Sequence, residues 1–244
     1  HFKKVSKLST NCVLPRNLYG KQRINSEGVN LADIEVLTRT QQDLELFKAQ
    51  TWQAAPLVNG KVYTGMEHQI TNPAYSQQIV GRVIYSDQKA ITEAINIAFT
   101  AAKHWRLSTV STRAAYLQNT AELLEQNRME LVALCVREAG KTINDALAEV
   151  REAVDFCHYY AQSAQDLFAK PLTFPGPTGE ENLLYQYGRG VFVCISPWNF
   201  PVAIFMGQVT AALASGNTVI AKPAEQTPIV AWHAVKLFHI AGVP

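Results

Sequence analysis

From residue 87 onward, apolar side chains recur every three or four positions along three successive stretches, the spacing that gathers them on one face of a helix. Asp87 supplies an N-cap for the first. It runs to about Lys103, with Ile91, Ala94, Ile95, Ala98 and Ala102 on the apolar face. The second opens at Thr112. Its stripe of Leu117, Ala121, Leu124, Leu131 and Cys135 allows a break near Asn127 and stops at Gly140. Thr142 and Asp145 have the spacing of a capping box and open the third, which reaches about Phe168.

After residue 188 the pattern changes. Val191-Phe192-Val193-Cys194-Ile195 is an apolar run without polar alternation, as in a strand buried on both faces. Ser196-Pro197-Trp198-Asn199-Phe200-Pro201 breaks the run, and Pro201 suits a first helical turn, where its missing N–H is not needed. The helix ends at Ser215-Gly216-Asn217, with the glycine as a left-handed stop. Thr218 to Ala221 is a second buried strand. Lys222-Pro223-Ala224-Glu225 follows it, and Pro228 to Ala241 forms a last helix. This order predicts a β-α-β unit with two polar loops at the carboxyl ends of parallel strands, where open α/β sheets bind their ligands.

The remaining stretches are less regular. Residues 1–50 are polar and mixed, with a helical spacing of Leu31, Ile34, Leu37 and Leu44 between Asn30 and Phe47. Trp52 to Pro56 reads as a surface turn. Leu57 to Tyr63 reads as a hairpin, because Asn59-Gly60 supplies the positive φ angles of a type I′ turn. Ile70 to Pro73 and Gln78 to Tyr85 continue a small β layer. Pro171 to Pro177 is a turn cluster, with Leu172 to Phe174 pairing Asn182 to Tyr187 as a ribbon whose free edges call for a partner, so a homo-oligomer is expected.

Composition narrows the classes. At 48% hydrophobic over 244 residues the chain can bury a substantial core. A net charge of +2 gives no argument for nucleic acid or an acidic substrate. Residues 1–30 set Lys3, Lys4, Lys7, Arg16, Lys21 and Arg23 against Glu27, which reads as a solvated connector. Cys12, Cys135, Cys157 and Cys194 have neither CxxC nor His-paired spacing, so no metal site is expected and the thiols read as packed and reduced, in a cytoplasmic protein. No apolar stretch reaches the about 18 residues of a membrane span, and no signal-peptide pattern is present. A start at His1 and an end at Ala241-Gly242-Val243-Pro244, where another strand would follow, give the expectation that the chain is a fragment.

SPWNFP, a Gly-Asn-Thr-Val strand and KPAEQTP in that order resemble the aldehyde dehydrogenase superfamily. The upstream text NLYGKQRINSEGVNLAD, Asn17 to Asp33, resembles the segment joining the two enzymes of the bifunctional proline utilisation A proteins, in which a proline dehydrogenase precedes an L-glutamate γ-semialdehyde dehydrogenase. The resemblance implies an α/β fold, the N-terminal part of an aldehyde dehydrogenase with an incomplete Rossmann-like parallel sheet, flanking helices and a small β-ribbon. It divides the chain into a connector over residues 1–50, a helical and β part over 51–170, an oligomerisation ribbon over 171–189 and the first half of an NAD-binding domain over 190–244. The three long helices are then expected to pack on the face of the dinucleotide-binding sheet. FAD belongs to the upstream proline dehydrogenase part, and the parent protein is cytoplasmic or peripheral at a membrane.

The same resemblance assigns chemistry. Asn199, held between two prolines, would donate its carboxamide N–H to the oxyanion that develops when a nucleophile attacks an aldehyde. Taken alone, an asparagine in a turn more often serves a local backbone bond. Lys222 and Glu225 would hold the adenosine ribose, and the carboxylate would repel a 2′-phosphate, which favours NAD over NADP. As a bare pair they read as a surface lysine and glutamate at a helix start. Ile195, Ser196, Pro197 and Trp198 would line the cofactor cleft. Glu149 and Glu152 are candidates for anchoring the substrate ammonium, although glutamates on an amphipathic helix are ordinarily solvated. Cys194 lacks a neighbouring base or cation and is rejected as nucleophile. The catalytic cysteine and general-base glutamate of the family would fall beyond Pro244, so the isolated chain is expected to be inactive. Two alternatives stay open: another NAD-dependent aldehyde dehydrogenase, for instance one for succinate semialdehyde, and a non-catalytic module that uses the ribbon and the basic arm for assembly or nucleic-acid binding.

Overall fold

The structure, a computed structural model, describes residues 13–244. Lys3, Lys4, Lys7 and Cys12 lie outside the described residues. A single 3-10 turn over Pro15–Asn17 precedes helix α1 (Ile34–Glu45), which Asp33 caps by accepting from Glu35 N. Strand β1 (Trp52–Ala54) comes next. The hairpin β2 (Leu57–Val58) and β3 (Lys61–Val62) turns at Asn59 and Gly60, both at positive φ, as the Asn-Gly pair predicts. Strands β4 (Glu67–Thr71) and β5 (Ile79–Ile84) complete the first β layer.

The Trp52–Pro56 surface turn is a correction. Trp52 to Ala54 pairs in parallel with Gly81 to Val83 in a sheet of order β1-β5-β4, and Trp52 is buried. Its indole donates to Glu130 Oε1 at 2.8 Å, while the Arg137 guanidinium lies 4.9 Å over its ring. Gly81 permits the close strand approach, because a Cβ there would collide with the Trp52 carbonyl.

Helices α2 (Gln88–Leu107), α3 (Val110–Gln126), α4 (Arg128–Ala139) and α5 (Ile143–Phe168) follow. The expected break falls at Asn127, Gly140 ends α4 at φ 68°, and Thr142 Oγ1 accepts from Asp145 N. Asp87 caps α2 as expected. Helix α3 is capped by Thr109 rather than opened at Thr112. The α2 face is partly corrected: Ala98 is buried, but Ile91 and Ile95 are exposed.

Strands β6 (Leu172–Pro175) and β7 (Glu181–Leu184) form the expected antiparallel ribbon, with Leu172 opposite Leu184 and all eight residues exposed. Strand β8 (Val191–Ile195), helix α6 (Ala203–Ala214), strand β9 (Thr218–Lys222) and helix α7 (Pro228–Ile240) then give the β-α-β unit and its last helix. β8 and β9 pair in parallel from Val191–Thr218 to Ile195–Lys222. Pro201 is not the first residue of α6; Val202 still precedes the first regular turn.

Two expectations about this unit fail. Strand β8 is not buried on both faces, since Cys194 alone is buried while Val193 and Ile195 are 60% and 64% exposed. An apolar run reports what a strand can bury, not what covers it. The long helices also do not all lie on the sheet: α2 packs against β8 and β9, whereas α3, α4 and α5 form their own layer against α6 and α7. Phe205, Leu117, Leu124, Leu134, Met206 and Ile229 fill the core between these layers. No helix among the described residues is long and apolar enough to cross a membrane.

Candidate functional site

The loops after β8 and β9 leave the same end of two parallel strands, and one hydrogen bond ties them together. Ser196 N donates to the Lys222 carbonyl at 3.1 Å. Ser196 is buried, and its hydroxyl bonds Gln208 Oε1 at 3.2 Å, one turn into α6. Pro201 and Val202 are buried at the other end of the loop. Between these anchors Trp198, Asn199 and Phe200 stand exposed. No group among the described residues takes up the Asn199 carboxamide, so its N–H₂ is free to meet a ligand.

Lys222 Nζ lies 3.6 Å from Glu225 Oε2, and both side chains are more than half exposed. The backbone N–H of Glu225 and the Lys222 ammonium keep this carboxyl below its ordinary pKa. A cation and an ionised carboxylate at the open end of a parallel strand pair are a donor–acceptor set suited to a vicinal diol, and they fit the ribose of a dinucleotide. Tyr85 Oη approaches the Glu225 carbonyl at 3.5 Å. Ile195, Pro197 and Trp198 offer partly or fully exposed apolar surface beside this pair, whereas Ser196 reaches it through its backbone.

Glu149 and Glu152 differ sharply. Glu149 is buried, and its Oε2 accepts from Val202 N at 3.2 Å and Ala203 N at 2.8 Å, the first N–H groups of α6. Its Oε1 stands 2.8 Å from Lys141 Nζ. The carboxylate is thus occupied by the helix start and by an ammonium of this chain, and is not presented to a ligand. Glu152, one turn on, is exposed. Partial burial raises its pKa first, then the neighbouring Glu149 and Asp155; Lys141 opposes them.

A second buried carboxylate repeats the device. Glu138 accepts from Ile229 N and Val230 N, both at 2.8 Å, at the start of α7. Burial pushes its pKa up to about 8 in spite of these two donors. At the far end of α6, Arg113 Nε donates to the Ala214 carbonyl at 3.0 Å. Sequence reasoning missed Lys141, Gln208 and Glu138. A lysine squeezed between a glycine stop and a threonine cap was the available signal for Lys141; for the other two the partners lie too far along the chain.

The described cysteines suit no nucleophile. Cys135, Cys157 and Cys194 are buried, and burial raises each thiol. The broad concavity along α2, lined by Asn59, Gln88, Glu93 and Asn96 among others, shares no residue with the two loops.

Comparison with known proteins identifies the family. Residues 63–244 match the family model described as "Aldehyde dehydrogenase family". The chain is 43% identical over 231 residues to the bifunctional protein PutA of Escherichia coli K12, which covers 95% of this chain and 16% of that protein. Among solved structures, proline utilization A of Bdellovibrio bacteriovorus, inactivated by N-propargylglycine, superposes at TM-score 0.86 with 36% identity, covering 90% of this chain and 23% of that one. The 1-pyrroline-5-carboxylate dehydrogenase from Thermus with bound NAD gives TM-score 0.84 at 33% identity, covering 91% and 43%. The chain therefore spans less than half the length of each of these relatives.

Proposed function

The chain belongs to the aldehyde dehydrogenase family, and we propose that it carries the oxyanion donor and the ribose end of the NAD site of an L-glutamate γ-semialdehyde dehydrogenase. What carries the reading is the Ser196–Lys222 hydrogen bond. It joins the loop bearing Asn199 to the loop bearing Lys222 and Glu225, so that a carbonyl group and a dinucleotide would be held along one strand edge. Similarity to PutA over 95% of the chain supports placing this unit in a bifunctional protein that converts proline to glutamate, with an FAD-containing proline dehydrogenase part upstream. Residues 1–50 then serve as the connector, 51–170 as the helical and β part, 171–189 as an oligomer ribbon and 190–244 as the nucleotide-binding half.

In this reading a thiolate adds to the aldehyde carbon, and the carbonyl π electrons move to oxygen. Asn199 Nδ2 donates a hydrogen bond to that oxygen. Bound NAD supplies the acceptor for the hydride. Cys135, Cys157 and Cys194 are set aside as the thiolate by their burial, so none of the described cysteines supplies the nucleophile; the family's nucleophile is expected beyond Pro244, and the 244-residue chain alone is expected to turn over no aldehyde. Glu152, exposed beside Lys141, is the better placed of the two glutamates to take the substrate ammonium. Glu225 would repel a 2′-phosphate, which favours NAD over NADP.

Calorimetric titration of the native polypeptide tests the cofactor half. NAD should bind more tightly than NADP, and Lys222→Ala should raise the NAD Kd about tenfold, a loss of about 1.4 kcal/mol. An unchanged Kd would remove the ribose assignment and favour an assembly role.

A further inference from the structure

We propose that Lys141 and Glu149 form a positioning clamp for the Asn199 loop; the catalytic meaning of the clamp rests on the oxyanion reading above. Lys141 occupies a tight junction between α4 and α5, after left-handed Gly140 and before the N-cap Thr142. Its own N–H donates to the Cys135 carbonyl at 3.2 Å, which fixes the backbone from which the side chain springs. The ammonium serves two partners at once. It lies 2.8 Å from Glu149 Oε1 and 4.8 Å from the centre of the Phe200 ring.

The consequence falls on four consecutive residues. Phe200 is held through its ring by Lys141, and Val202 and Ala203 are held through their N–H groups by Glu149 Oε2. Pro201, buried between them, restricts φ. Asn199 is the residue immediately before this fixed stretch, so the clamp sets where its carboxamide points. No hydrogen bond reaches Glu149 Oε1 among the described residues, and the ammonium is its compensating charge. A buried carboxylate deprived of that charge takes up protons or moves, and either change slackens its hold on the Val202 and Ala203 N–H groups. Lys141 and Glu149 are positioning residues in this account: neither touches substrate.

The test uses the native polypeptide and three variants, Lys141→Met, Lys141→Arg and Lys141→Met/Glu149→Gln. Amide hydrogen exchange at Val202 and Ala203 reads the clamp, and kcat against KM for the aldehyde reads its effect. Lys141→Met is expected to speed exchange at these two amides and to lower kcat by about 10²-fold with KM little changed, the scale of a small misplacement of a catalytic group. Lys141→Arg is expected to recover most of kcat. If Lys141→Met fails to fold, the double variant removes the uncompensated charge, and it should fold yet keep the low kcat. Unchanged exchange at the two amides in a folded variant overturns the clamp. An Asn199→Ala variant with undiminished kcat overturns the oxyanion reading instead, and the exchange data still decide the clamp.

Discussion

Glu149 Oε2 accepts the Ala203 N–H at 2.8 Å across 54 positions of sequence, joining the second turn of α5 to the first turn of α6. A helix start with this partner needs no capping side chain of its own, and Val202 provides none. Removal of the carboxylate strands two buried N–H groups and the Lys141 ammonium together. Glu149→Ala is therefore expected to cost about 3–5 kcal/mol of stability, within the range for breaking a buried ion pair. Urea denaturation at constant m-value checks this; a loss below about 1 kcal/mol would show the cap to be dispensable.

Glu138 predicts a pH dependence. Its folded pKa is raised from 4.5 to about 8 by burial. A raised carboxyl binds more protons in the folded state than in the unfolded one. Its contribution is therefore fully present below pH 4.5 and is lost as pH rises through about 8. Between pH 5 and 8 the wild-type protein should lose stability relative to Glu138→Gln, which has no proton to release. Parallel stability–pH curves for the two proteins would refute the assignment.

Thiol chemistry gives a third expectation. Cys135, Cys157 and Cys194 are buried with raised pKa values and should react with a disulfide reagent only on unfolding. Peptide mapping after labelling of the native protein checks this. Rapid labelling of Cys194 would reopen its exclusion as a nucleophile.

The ribbon gives a fourth. Phe174 and Leu183 are 48% and 45% exposed on a two-stranded sheet that no layer among the described residues covers. If the ribbon joins subunits, Leu183→Asp should shift the native polypeptide to a smaller assembly in analytical ultracentrifugation. An unchanged mass would place the oligomer contact elsewhere.

Local signals carried most of the fold. Asn59-Gly60, Asp87, Asn127, Gly140 and Thr142 each govern a turn, a cap or a break through their own backbone chemistry, and each acts where the sequence places it. What escaped is set by distant partners. Trp52 looks like a turn residue until β5 arrives beside it, about thirty positions on. Glu149 reads as one more acid on an amphipathic helix, and its burial follows from an α6 start that the α5 sequence does not contain. The apolar run of β8 states a capacity for burial that these residues leave half unused. At the site, Asn199, Lys222 and Glu225 are legible as candidates from motif order; the Ser196–Lys222 bond that sets their loops side by side is not, because its partners belong to separate strands.

The most direct test is the kcat of Asn199→Ala in the native polypeptide, with L-glutamate γ-semialdehyde and NAD at saturation. The account predicts a fall of about 10²–10³-fold, the loss found when one oxyanion donor is removed, with NAD affinity unchanged. A variant that folds, binds NAD and keeps its full kcat would contradict it.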